Sequence, residues 1–200
     1  GYTVVAIGNK AFRSNNNLRA VTIPDTITSI GDWSFSECKK LSDVTLSANL
    51  ISLGDRAFGD CTSLTSITIP KTLKTAYAFG PFNGCPALTN VTLEQGMTVV
   101  APNLFYNCSG LVSIKIPDTV TSIGNSSFRN CESLKNVEIP DSVTEIKDSA
   151  FRYSANLEKI VIPDTVTVIG AWSFSECKKL SDVTLSANLV SLGDRAFGDC

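Results

Sequence analysis

Residues 120–142 read VTSIGNSSFRNCESLKNVEIPDS, and the spacing of their apolar residues changes along the stretch. Val137-Glu138-Ile139 alternates with the two-residue period of a strand that buries one face. Pro140 lacks an amide hydrogen and stops ladder pairing, and Asp141 turns the chain. Val143-Thr144-Glu145-Ile146 then reads as a second short strand. Gly124 is expected to permit a tight bend. The segment around Phe128 and Cys131 is too short for a stable free helix, so one helical or 3₁₀ turn is expected there.

The same unit runs through the chain. Phe12, Phe35, Phe58, Phe82, Phe105, Phe128, Phe151, Phe174 and Phe197 stand 23 residues apart, with a single step of 24. Cysteine follows three positions later in seven of these nine places, at Cys38, Cys61, Cys85, Cys108, Cys131, Cys177 and Cys200. Asn15 and Ser154 fill the other two. A fixed period of this length marks a solenoid or an array. One such unit cannot bury its apolar face alone, but stacked units cover one another. With strands ~4.8 Å apart in adjacent coils, nine coils make a body about 40 Å long. The composition, 43% hydrophobic and 18% charged, suits a continuous core.

The recurring string I-P-x-x-V-T-x-I-G-x-x-A-F-x-x-C-x-x-L resembles the BspA-type leucine-rich repeat. It recurs at Ile23–Pro24, Ile69–Pro70, Ile116–Pro117, Ile139–Pro140 and Ile162–Pro163 and covers essentially the whole chain. The resemblance implies a repeat solenoid: a right-handed leucine-rich-repeat superhelix of about nine 23-residue coils, forming a single domain over residues 1–200. Short parallel β-strands joined by short helical or 3₁₀ turns are expected. That family occurs in surface proteins of host-associated bacteria and some parasitic protists. It implies a cell-surface or secreted location and adhesion to host or microbial partners. The fold does not fix the ligand. The last coil stops at Cys200, before its L-x-x-I strand, and neither end has a polar cap. A piece of a longer array is therefore expected, or oligomerisation through the uncapped ends.

Residues 73–105 depart from the pattern. Leu73-Lys74-Thr75-Ala76-Tyr77 replaces V-T-x-I-G, and an extra residue precedes Phe82. Glu94 stands where proline ends the strand, and Ala101-Pro102 replaces the glycine and its neighbour. Two readings stay open: a drifted repeat with a small bulge, or a bend that displays Tyr77, Phe79 or Tyr106 to a partner. Trp33–Cys61 and Trp172–Cys200 are near-copies, differing only where Ile51 becomes Val190. Trp33 and Trp172 are either exposed anchors or packed against a neighbouring coil.

The chain has no histidine. That removes the usual Ser-His and Cys-His nucleophile pairs and the commonest general base. Cysteines spaced one per coil lack the paired spacing of zinc sites and read as a ladder of buried free thiols. Asp25, Asp118, Asp141 and Asp164 recur with the coil and read as turn residues. No catalytic set, cofactor site or metal site is expected. The net charge of −2 gives no electrostatic reason to expect nucleic acid or an anionic membrane. No apolar run approaches the ~18 residues of a spanning helix, so direct membrane insertion is not expected.

A ligand would meet the outward residues of the L-x-x-I-x-I strands, which in a curved solenoid line the concave face. One column runs Ala20, Asp43, Ser66, Asn90, Ser113, Asn136, Lys159 and Asp182. The other runs Thr22, Thr45, Thr68, Thr92, Lys115, Glu138, Val161 and Thr184. The stretch that varies most supplies the candidates: Asn90, Thr92, Ser113, Lys115, Asn136, Glu138, Lys159 and Val161, with Tyr77 and Tyr106 from the irregular coils. The expected partner is a protein, such as an extracellular-matrix or plasma protein. A stalk presenting another domain is the alternative, and an enzyme is a more distant one.

Overall fold

The computed structural model describes residues 3–76 and 79–200, and they form a parallel β-solenoid. Each coil contributes one longer and one shorter strand. The longer strands are the L-x-x-I-x-I segments: Ala20–Thr22, Asp43–Thr45, Ser66–Ile69, Asn90–Leu93, Ser113–Lys115, Asn136–Glu138, Lys159–Val161 and Asp182–Thr184. They pair two by two in parallel, and successive pairs lie side by side. The register places equivalent residues opposite each other, as in Ser113 with Asn136 and Lys115 with Glu138. The alternation read from sequence holds, because Ile114, Val137 and Ile160 point into the core between exposed neighbours.

The strand-ending prolines set the next turn. Val143 donates its amide to the Pro140 carbonyl at 3.0 Å, and Val120 to Pro117 at 3.1 Å. Glu94 makes the same turn without the ring, accepting the Met97 amide at 3.2 Å. The short strands that follow form two ladders. One stacks Ala6–Ile7, Ser29–Ile30, Ser52–Leu53 and Thr75–Ala76; the other stacks the five strands from Val99–Val100 to Ser191–Leu192.

The phenylalanines stack through the middle of the body. Neighbouring ring centroids lie 4.9 to 6.2 Å apart, with planes within 16° of parallel. Phe35 to Phe174 are fully buried, whereas Phe12 at one end is 43% exposed. The widest steps, 5.7 and 6.2 Å, fall on either side of Phe82. The extra residue of that coil therefore loosens the stack and divides the short-strand ladder. The long strands on either side, Ser66–Ile69 and Asn90–Leu93, keep four paired residues.

The turns around phenylalanine correct one expectation, since no helix forms among the described residues. Two residues per coil adopt left-handed backbone, one on each side of the ring. Around Phe128 these are Ser126 (φ 53°) and Asn130 (φ 59°). The amides then alternate. Those of Phe128 and Asn130 cross to the next coil, donating to Ala150 and Arg152 carbonyls at 2.8 Å. Those of Arg129 and Cys131 turn back to Ser126 and Phe128 at 3.2 and 3.3 Å. A helix would send every amide back into its own coil. The left-handed residues cost about 1–2 kcal/mol each, and inter-coil bonds worth about 1 kcal/mol each help to offset them.

The coil glycine has a different role from the one expected. Gly31, Gly54, Gly124, Gly170 and Gly193 are not left-handed. They lie against the backbone of the preceding coil, and a Cβ on Gly124 would sit 2.5 Å from the Val100 carbonyl oxygen and 2.8 Å from the Pro102 nitrogen. Close approach, not an unusual bend, demands glycine here.

The cysteines form a hydrogen-bonded ladder of free thiols. Each Sγ donates to the phenylalanine carbonyl of the coil below, as Cys131 does to Phe105 at 3.2 Å. Ser154 makes the equivalent bond to Phe128 at 3.3 Å. Burial pushes the Cys85 and Cys177 thiols up to about 12 from an ordinary 9.0, outweighing the backbone amides that lower them. Folding thus favours the neutral thiol. That contribution is complete below pH 9.0 and is lost as pH rises through about 12. Denaturant midpoints should therefore fall between these limits, and a C85S/C177S variant should show a shallower fall. Equal slopes would remove the thiols from the explanation. At neutral pH a thiol reagent should modify exposed Cys200 in the folded protein, and the six buried thiols only on unfolding.

Candidate binding face

All sixteen residues of the two outward columns are exposed. Inward isoleucines, valines and leucines anchor the strands except the last, Asp182–Thr184, whose Val183 is 40% exposed, and parallel register repeats every outward position once per coil. The face is therefore an array of columns rather than a single convergent point.

Within it the surface is hollowed in three places, one of about 290 Å³ between Thr45 and Thr68 in the earlier coils. Asn136, Glu138, Lys159 and Val161 line a depression of about 410 Å³, completed by Asp141 and Pro163. A smaller one of about 240 Å³ lies beside it, lined by Lys115, Glu138, Gln95 and Asp118. Gln95 donates its side-chain amide to Asp118 across the coil boundary. Lys159 reaches Asp182 in the next coil at 2.8 Å, with both side chains more than half exposed. Such a pair contributes less than about 1 kcal/mol to the fold. Asn90, Thr92 and Ser113 extend the columns towards the irregular coil, with Thr92 in register with Thr68.

Tyr106 does not belong to this face. It is half-buried on the turn edge, where the Arg129 guanidinium lies 5.7 Å from its ring. Tyr77 lies outside the described residues. Phe79, the other aromatic of the irregular coil, is 54% exposed. Asp141 was legible only as a turn residue, and the structure adds that it walls the larger hollow.

Among the described residues, no group of acidic or cysteine side chains is arranged to hold a metal ion. Among the same residues, no helix is long and apolar enough to cross a membrane.

The model of the BspA type leucine rich repeat region matches residues 5–111 and 98–200, in six copies. The chain belongs to the BspA-type leucine-rich-repeat family. A search of curated proteins finds no match. The BspA-type solenoid is similar to a solved leucine-rich repeat protein of T. pallidum, at 26% identity over 90% of this chain and 73% of that one, with a TM-score of 0.57. It is also similar to a leucine rich cell surface protein from Faecalibacterium prausnitzii, at 26% identity over 100% of this chain and 69% of that one (TM-score 0.52). Its fold matches that of the pneumococcal vaccine antigen PcpA, at 21% identity over 98% of this chain and 58% of that one (TM-score 0.57).

This BspA-type chain carries one arrangement that its sequence pattern concealed. Arginine and aromatic side chains interleave along the turn edge, beside the phenylalanine stack. Trp33 lies between Arg13 and Arg56, each 5.1 Å from its ring. Trp172 lies between Arg152 at 4.4 Å and Arg195 at 4.8 Å. Both tryptophans are thus packed against neighbouring coils. The members come from two different places, one residue after phenylalanine and two before it, so no single column of the repeat reveals them. Arg13 also pairs with Glu37 at 2.5 Å. That bond, then the Ser14 hydroxyl, holds the Glu37 carboxyl below its ordinary range.

Proposed function

We propose that this chain is a non-catalytic protein-binding module of a cell-surface or secreted protein. In this reading it adheres to a host or microbial protein through the outward face of its long strands. The observation that carries the reading is the larger hollow, where Asn136, Glu138, Lys159 and Val161 converge on one exposed surface. Two charges of opposite sign, an amide and an exposed apolar side chain make a patch of mixed chemistry there. Protein interfaces take that composition, with charged groups setting register and encounter rate. The likeness to a leucine rich cell surface protein supports the location.

Solid-phase binding to extracellular-matrix and plasma proteins tests it, with a K115E/K159E variant beside the native chain. Saturable binding is expected, weakened about tenfold or more by the two charge reversals. Both lysines are exposed, so circular dichroism and the unfolding midpoint should change little. Undiminished binding by the variant would move the site off this face. Binding to no member of the panel would favour a stalk that presents another domain.

A further inference from the structure

Tyr106, Arg129, Tyr153, Arg152, Trp172 and Arg195 form a continuous run along the turn edge of five successive coils. Arg129 lies 5.7 Å from the Tyr106 ring and 5.8 Å from that of Tyr153. Arg152 lies 4.8 Å from Tyr153 and 4.4 Å from Trp172, and Arg195 lies 4.8 Å from Trp172. Arg129 and Arg152 occupy the same place in adjacent coils, whose phenylalanine rings are 5.1 Å apart.

These arginines differ from their counterparts nearer the amino terminus. Arg13 is paired with Glu37, and Arg56 lies 3.9 Å from Asp60. Those carboxylates stand two residues after phenylalanine. In the middle coils that place holds Asn107, Asn130 and Tyr153. Glu176 restores a carboxylate there, but it pairs with Lys178 at 2.6 Å. Among the described residues, no carboxylate comes within 4.0 Å of Arg129, Arg152 or Arg195. The Nε atoms of Arg129 and Arg152 are buried and have no hydrogen-bond partner among the described residues. Asp199 also holds that place, four residues after Arg195, so the arginines of this edge that have no carboxylate in their own or the preceding turn at that place are Arg129 and Arg152.

We propose that this edge binds an anionic polysaccharide, one bearing sulfate or carboxylate groups on a hydroxyl-rich backbone. The rings cover guanidinium faces, the Nε atoms are buried, and one Arg152 Nη donates to the Tyr153 hydroxyl at 3.2 Å. The remaining Nη–H groups are left to meet the oxygens of such groups. Stacking also removes water from the cation, which strengthens its attraction for an anion. In the same turns, two residues before or after phenylalanine, stand half-buried Asn103, Asn107, Ser126, Asn130 and Ser149, polar groups suited to hydroxyls, with the Asn107 amide donated to Asn83 at 3.0 Å. A protein partner would want an apolar anchor pocket, and here the aromatic faces are already occupied by guanidinium. The site is independent of the strand face proposed above.

The test applies the full chain to immobilised heparin, polygalacturonate, polyglutamate and neutral dextran, each eluted with a salt gradient. Retention on heparin or polygalacturonate, weakly or not at all on polyglutamate and dextran, is expected; which of the two retains it assigns sulfate or carboxylate. R129Q/R152Q should weaken retention about tenfold or more, and K115E/K159E should leave it intact. R129K/R152K keeps the charge and loses the planar fork, and it should behave closer to the glutamine pair. Retention on polyglutamate equal to or above that on the polysaccharides overturns the proposal in favour of an acidic protein. So does the absence of retention on both polysaccharides, or full retention by either arginine variant. Equal loss in K115E/K159E would also overturn it, as attraction without a site.

Discussion

Phe128→Ala should lower the unfolding free energy by about 3–5 kcal/mol, the range for emptying a fully buried aromatic site. The Phe128 ring is enclosed by Phe105 at 5.5 Å and Phe151 at 5.1 Å, and none of it is exposed. Its neighbours cannot close the gap easily, because each is fixed by its own rung and by backbone bonds that cross between coils. The same truncation at Phe12, which is 43% exposed and stacks on Phe35, should cost less than half as much. Because each coil contacts only its neighbours, a central cavity should also weaken coupling between the two ends. Urea unfolding with linear extrapolation reads both effects: a lower midpoint and, if the ends uncouple, a smaller slope. Equal losses at Phe128 and Phe12 would mean that the stack is not the central source of stability.

Gly124→Ala is the second large effect, expected at about 2–3 kcal/mol in the direction of instability. The added methyl would meet backbone atoms of the preceding coil, including the Val100 carbonyl oxygen at 2.5 Å, and not a side chain that could swing aside. Relief requires the coils to separate, which would also stretch the bond from the Gly124 amide to that same carbonyl, now 3.0 Å. In an ordinary exposed turn without left-handed backbone, alanine would instead stabilise by reducing unfolded-state entropy. The sign of the change therefore separates close approach from bending. Thermal unfolding of the variant beside the parent decides it, and a higher midpoint would refute the packing explanation.

The repeat itself was legible from particular residues. The 23-residue spacing of phenylalanine announced the stack, and Val137-Glu138-Ile139 announced a strand with one buried face. The departures in residues 73–105 located the break in the short-strand ladder. These features are periodic or interrupt a period, so order along the chain contains them. It also named the two outward columns, since side chains on a strand must alternate.

What remained hidden depends on contacts between coils. The turn around Phe128 reads locally as a helical turn, yet its amides find better partners in the next coil through left-handed residues such as Ser126 and Asn130. Gly124 reads as a bend, yet its neighbour at 2.5 Å is Val100, 24 positions earlier. Asp141 reads as a turn, yet it walls a hollow with Lys159. Arg152 meets Trp172 across a coil boundary from a different place in the repeat. The sequence alone therefore determined the solenoid, its period, its core and its exposed columns, because a regular stack buries equivalent residues equivalently. Only the tertiary structure decided the turn conformation, the need for glycine, the hollows and the arginine–aromatic edge. Each of these depends on distances between coils, which one coil's residues do not specify.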